Sequence, residues 1–168
     1  MKPYKGNEKG EQILRILSVN SKTTIEDIAK QISIPEKDVI KYIREFEEEK
    51  IILGYKANVN WQRIRQDDVR AVIEVKVTPE RKVGFDAVAE SIYRFPEVSA
   101  VYLISGRYDL LVHVEGDTLR EVAQFVSEKL ATIKNVQSTS THFLLKKYKE
   151  DGIILVDQPD SKRLPITL

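Results

Sequence analysis

Three groups of residues in this chain have side chains and spacing suited to chemistry. Lys37, Lys41, Tyr42 and Arg44 fall within eight residues and offer cations and a phenol to phosphates and base edges. Gly106-Arg107-Tyr108-Asp109 sits between two apolar runs. There glycine permits a positive φ, and an aspartate can either cap its own turn or pair with a ligand's amino group. Ser138-Thr139-Ser140-Thr141 puts hydroxyls on alternate faces of an extended segment, as β propensity alone or as the lining of a polar site. His113 and His142 read as ordinary strand residues, because neither has a carboxylate at metal-ligand spacing. There are no cysteines, so disulfide scaffolds, Cys-ligated zinc, iron–sulfur clusters and Cys nucleophiles are excluded. No phosphate loop, HExxH, GxSxG or paired-carboxylate cleft is present, so no metal, no cofactor and no enzyme activity is expected.

Each group needs an element to position it. Residues 8–19 carry Ile13, Leu14 and Leu17 at helical spacing. Thr23-Thr24, with Glu26 and Asp27 three residues on, reads as a capping box opening a second helix to about Ile32. Pro35 suits the start of a third, running to about Lys50 with Val39, Ile43 and Phe46 inward. Lys37, Lys41, Tyr42 and Arg44 then face outward. This helix-turn-helix over 24–50 reads either as a DNA reader or as a three-helix packing unit that binds nothing. Residues 51–60 are β-rich around Gly54 and predict a small strand pair or wing.

Beyond a charged boundary at 61–70 the pattern changes. Strand 71–78, helix 84–95, strand 98–105, strand 110–115, helix 118–134 and a strand over roughly 136–148 follow in order. Helix 118–134 is expected to bury Leu119, Val122, Ala123, Val126, Leu130 and Ile133. The order is β-α-β-β-α-β, a ferredoxin-like unit, so the fold class is α+β. The chain divides into 1–60, a linker 61–70, 71–150, and a tail 151–168 that reads as irregular with one extended piece at 153–156.

Charge is nearly balanced. Residues 1–61 hold 11 Lys/Arg against 10 Asp/Glu, and the rest 16 against 16. A globally basic nucleic-acid binder is excluded and only a local cationic face remains. No apolar run approaches the ~20 residues of a membrane span and no signal segment opens the chain, so a cytoplasmic protein is expected. Two helices can cover only one face of a four-stranded sheet. Strand 98–105 nevertheless reads as apolar on both, with Val98, Ala100, Tyr102 and Ile104 on one face and Val101 and Leu103 on the other. A second copy of the sheet, the N-terminal unit or the tail must cover the remaining face, and a homodimer is the economical answer.

Taken together, "EQILRIL", "TTIEDIAKQISIPEKDVIKYIREFEEEKIILGYKANVN", "VSAVYLISGRYDLLVHVEGDTLREVAQFV" and "IKNVQSTSTHFLLKKYK" resemble the Lrp/AsnC, or feast/famine, transcription regulators. The likeness spans about residues 8–148. It implies a winged helix-turn-helix on double-stranded promoter DNA, a homodimer often assembled to an octamer, and an amino acid effector bound between subunits. It implies Pro35–Glu49 as the recognition helix, with Lys37, Lys41, Tyr42 and Arg44 on DNA. It implies an effector pocket from Leu103, Ser105, Gly106, Tyr108 and Asp109 with Thr139 and Thr141 of a neighbouring subunit. Three positions depart from the family's usual residues. Pro35 replaces a hydroxyl, Tyr42 an arginine, and Lys50 a glycine. The last costs around 1 kcal/mol if the backbone there is left-handed.

Overall fold

A computed structural model describes residues 7–64, 69–79 and 84–156. The chain forms two compact units, Met1–Val59 and Asn60–Leu168. Parts of the linker and of the tail fall outside the described residues.

The first unit is three helices: α1 (Glu8–Val19), α2 (Ile25–Ile32) and α3 (Glu36–Glu48). Asn7 caps α1 by accepting the Gly10 N–H, and Thr24 caps α2 by accepting the Asp27 N–H. Asp27 does not complete a capping box on the backbone. Its carboxylate instead accepts the Thr24 hydroxyl at 2.7 Å. Ile13, Ile28, Ala29, Ile32, Val39 and Phe46 close a dry core. The strand pair expected at 51–60 is absent among the described residues. Leu53 is 83% exposed, and an isolated hairpin with nothing to bury is marginal in water. Tyr55 anchors the segment, donating its hydroxyl to Glu47 at 2.9 Å.

The second unit is a four-stranded antiparallel sheet in the order β2-β3-β1-β4, from β1 (Val69–Val77), β2 (Val98–Leu103), β3 (Leu110–Gly116) and β4 (Val136–Phe143). Helices α4 (Asp86–Tyr93) and α5 (Leu119–Gln124) cover one face. The alternation along β1 explains this. Ala71, Ile73, Val75 and Val77 are buried, whereas Arg70, Val72, Glu74 and Lys76 between them are not. Past Gln124 the helix widens into a π turn, Phe125–Leu130, with Ala131 N–H bonded to Val126 O at 2.8 Å. The extra residue per turn keeps both Phe125 and Leu130 in the core. The expected inward set is also corrected ahead of that turn, in α5 itself, where Leu119 is 58% exposed and Ala123 faces solvent.

Register corrects β2 as well. A bulge between Val98 and Ala100 sets Val98 opposite Val114 and Ala100 opposite His113. Val98 therefore joins Val101 on the helix-covered face. The open face keeps Ala100 and Tyr102 from β2, Leu111, His113 and Glu115 from β3, the four partly exposed residues of β1, and Ser138, Ser140 and His142 from β4. Residues 144–148 past β4 take up no helix or strand, and a short element follows them. β5 (Lys149–Glu150) and β6 (Ile153–Ile154) form a hairpin, with Asp151 and Gly152 both at positive φ as a tight primed turn requires.

Candidate DNA interface and effector turn

In the first unit, the turn between α2 and α3 is fixed by the backbone. Ser33 adopts the left-handed conformation, and Ile34 N–H bonds Ala29 O at 3.1 Å. The Lys9 ammonium reaches the Ile32 carbonyl at 2.6 Å and ties α1 to the end of α2. Pro35 precedes α3 with φ −63° and makes no side-chain cap. Lys37, Lys41 and Arg44 then lie along one exposed face of α3, at the four- and three-residue steps that keep side chains aligned. Lys41 stands 3.8 Å from Glu45, with both side chains largely in water. Such a pair is weakly held and leaves the ammonium available.

Tyr42 does not share that face. It is half-buried, packs on the helical core and stacks on Phe46 with ring centroids 6.0 Å apart. Its hydroxyl accepts the Asn7 side-chain amide at 2.5 Å. The outward placement of Tyr42 is therefore corrected: one residue past Lys41, it has rotated towards α1. Ile40 occupies the outer face instead, 42% exposed. Its spacing from Lys37 and Arg44 is the signal that would have found it.

At the far end of α3, Lys50 does adopt the left-handed conformation, with φ 58°. Ile51 and Ile52 N–H both bond Phe46 O, and Lys50 N–H bonds Glu47 O. This is a Schellman closure with a lysine where glycine is unstrained.

In the second unit, the turn between β2 and β3 closes through Ile104 N–H to Asp109 O at 2.9 Å, while Asp109 N–H bonds Val75 O at 3.0 Å. Gly106 does not take positive φ, which corrects the reason given for it. A Cβ there would meet nothing within 4 Å, so the turn is open to solvent on that side. Leu103 and Ser105 beside it are exposed, and the Arg107 guanidinium lies 5.7 Å from the Tyr108 ring centre. Asp109 does not cap its own turn. Its carboxylate accepts Val77 N–H at 2.9 Å and the Lys76 ammonium at 3.1–3.2 Å. The Val77 hydrogen bond, with Lys76 beside it, holds the carboxyl below its ordinary range against the opposing effect of burial. Asp109 thus extends the β1–β3 pairing past its last ladder bond, and its charge is already answered.

Thr139 and Thr141 pair with Val75 and Ile73 and share their helix-covered face, half-buried. Asp109 engages Lys76, which points the other way. Within one chain, then, these hydroxyls and the Asp109 carboxylate stand on opposite faces. His142 has one carboxylate beside it, brought there by the strand pairing: Nε2 lies 3.1 Å from Glu74 Oε2 and 3.3 Å from Ser140 Oγ. Among the described residues no cluster of three or more His, Asp or Glu could hold a metal, and no helix is long and apolar enough to cross a membrane.

A helix-turn-helix followed by this sheet and turn defines a class of two-part regulators, and the comparisons name it. Residues 7–52 match the winged helix-turn-helix DNA-binding family, and residues 70–154 match the Lrp/AsnC ligand binding domain. The chain is 49% identical over 161 residues to the HTH-type transcriptional regulator YugG of Bacillus subtilis, covering 95% of this chain and 97% of that one. It is 25% identical to the proline dehydrogenase transcriptional activator of Rhizobium radiobacter, over 84% of this chain and 90% of that protein. Escherichia coli AsnC shares the fold at TM-score 0.68 and 21% identity, with 88% and 97% of the two chains covered. So does a Neisseria meningitidis regulator solved with L-methionine, at TM-score 0.68, 20% identity and 86% and 93% coverage. The chain belongs to the Lrp/AsnC family: it is a transcriptional regulator with a helix-turn-helix and a ligand-binding domain.

Proposed function

We propose that this regulator binds promoter DNA as a homodimer or higher assembly, places α3 in the major groove, and responds to an amino acid held near the 104–109 turn. The observation that carries the DNA part is the single outward face of α3. Lys37, Lys41 and Arg44 stand there around Ile40, while every other large apolar side chain of that helix except half-buried Tyr42 and Ile43 is fully buried. Cations supply affinity through phosphates, and Ile40 can meet a thymine methyl.

The open sheet face supports the dimer. It presents Tyr102, Leu111 and Val72 at its centre. It carries charges of both signs, with Arg70 3.4 Å from Glu115 and Lys76 on Asp109. A face with both signs can be self-complementary about a two-fold axis. The amino acid is supported by the L-methionine complex of the Neisseria relative. In this chain the effector is read by the open side of the turn, at Leu103, Ser105, Gly106 and Tyr108, with Thr139 and Thr141 supplied by another subunit. Asp109 holds the turn's shape.

A gel-shift titration with a promoter fragment tests the DNA role. Lys41→Ala with Arg44→Ala is expected to weaken binding at least tenfold, and unchanged affinity sinks the assignment. A thermal-shift screen against the amino acids tests the effector, with selective stabilisation expected from one or a few.

A further inference from the structure

The chain has two histidines, and both stand on the open face of the sheet. They flank one residue: Val72 of β1 is the direct cross-strand partner of His113 on β3 and of His142 on β4. We propose that this face makes self-association pH-sensitive, with His113 as the group whose protonation loosens the dimer. The inference rests on the dimer reading above.

The two histidines differ in what surrounds them. His142 has Glu74 at 3.1 Å, so a proton on its ring is answered by a carboxylate in the same chain. Among the described residues His113 has no carboxylate partner of that kind. Across from it on β2 is Ala100, and the Tyr102 ring meets its ring edge-on with centroids 5.7 Å apart. Along its own strand on the same face are Leu111 and Glu115, and Glu115 is directed at Arg70, 3.4 Å away. On β1 its neighbours are Val72, then Arg70 and Glu74. Lys76 and Asp109 pair with each other at the end of that strand. A second copy laid on this surface would remove the His113 ring from water among Tyr102, Val72 and Leu111. A neutral imidazole loses little there, whereas an imidazolium loses its hydration without a counter-charge. By linkage, a proton that binds the free subunit better than the dimer drives dissociation.

Sedimentation of the full-length protein at about pH 8 and about pH 5.5, at fixed ionic strength, tests this. The two values bracket the ordinary histidine range near 6.5. Two His113 side chains per dimer, each excluded from protonation, raise the dimer dissociation constant by up to about a hundredfold across that interval. His113→Phe keeps the ring packing and is expected to abolish the pH dependence while preserving association. His142→Gln is expected to leave the dependence in place. Circular dichroism at both pH values checks that the sheet is intact. A dimer whose constant does not move, or tightens on acidification, overturns the switch and leaves the dimer standing. Monomers at both values remove the dimer reading and the switch together.

Discussion

At the residue scale, Asp109 already has its partners within its own chain. Its carboxylate is occupied by Val77 N–H and Lys76, so it builds the turn. Asp109→Asn keeps an acceptor for Val77 but loses the ion pair, and is expected to cost about 1 kcal/mol at neutral pH. The carboxyl is depressed below its ordinary value of 3.8 in the folded chain. Its ionised form therefore stabilises the fold above that value, and the contribution vanishes as pH falls through the lower folded value. Urea unfolding of the two proteins across the acid range should show their stabilities converging only once the pH has fallen below the ordinary carboxylate value of 3.8. Convergence at higher pH, or none, contradicts the assignment. Side-chain occupancy of this kind is a tertiary property: G-R-Y-D marks a turn in the sequence, but only the β1 neighbour reveals what the aspartate meets. Tyr42 is the same case, since its partner Asn7 lies 35 residues away.

At the element scale, periodicity carried most of the fold, and the exceptions have local causes. The three N-terminal helices and the β-α-β-β-α-β order follow from apolar spacing, because each element has one face to bury. The bulge at Ser99 and the π turn at Phe125 do not. Both insert a residue to keep a regular pattern aligned with a core whose shape the sequence alone does not state. The strand pair expected at 51–60 is missing among the described residues for the opposite reason: its residues are β-prone but have no surface to cover. The hairpin at 149–154 departs from the irregular tail expected there, and Asp151-Gly152, a strong turn pair, is the signal that marks it. Lys50 closes α3 in a left-handed conformation, and its outcome is testable without touching the core. Lys50→Gly is expected to raise the stability of the helical unit by about 1 kcal/mol, and Lys50→Ala to leave it near its starting value. Thermal unfolding by circular dichroism distinguishes them. Equal effects of both substitutions would mean that the lysine side chain, rather than its backbone, matters.

At the scale of the whole molecule, near-zero net charge and DNA binding are compatible only if the cations act locally and in duplicate. Residues 1–61 carry 11 basic and 10 acidic side chains, so no broad field draws the protein to a polyanion. The glutamates Glu45, Glu47, Glu48 and Glu49 gather at the C-terminal end of α3, and Lys37, Lys41 and Arg44 occupy the stretch before it. A dimer presents that cationic stretch twice. If each of the three cations neutralises one phosphate per subunit, six counterions' worth of charge is displaced. The logarithm of affinity should then fall with the logarithm of salt with a slope near −5, since each phosphate contributes about −0.9. Lys41→Ala removes one contact per subunit and should flatten the slope by about 2. Ile40→Ala should weaken binding while leaving the slope unchanged, because a methyl contact displaces no counterion. Filter binding of a promoter fragment across a salt series reads all three at once. A Lys41→Ala slope equal to that of the parent would show the ammonium lies off the phosphates, and an Ile40→Ala protein with full affinity would restrict the interface to its charges.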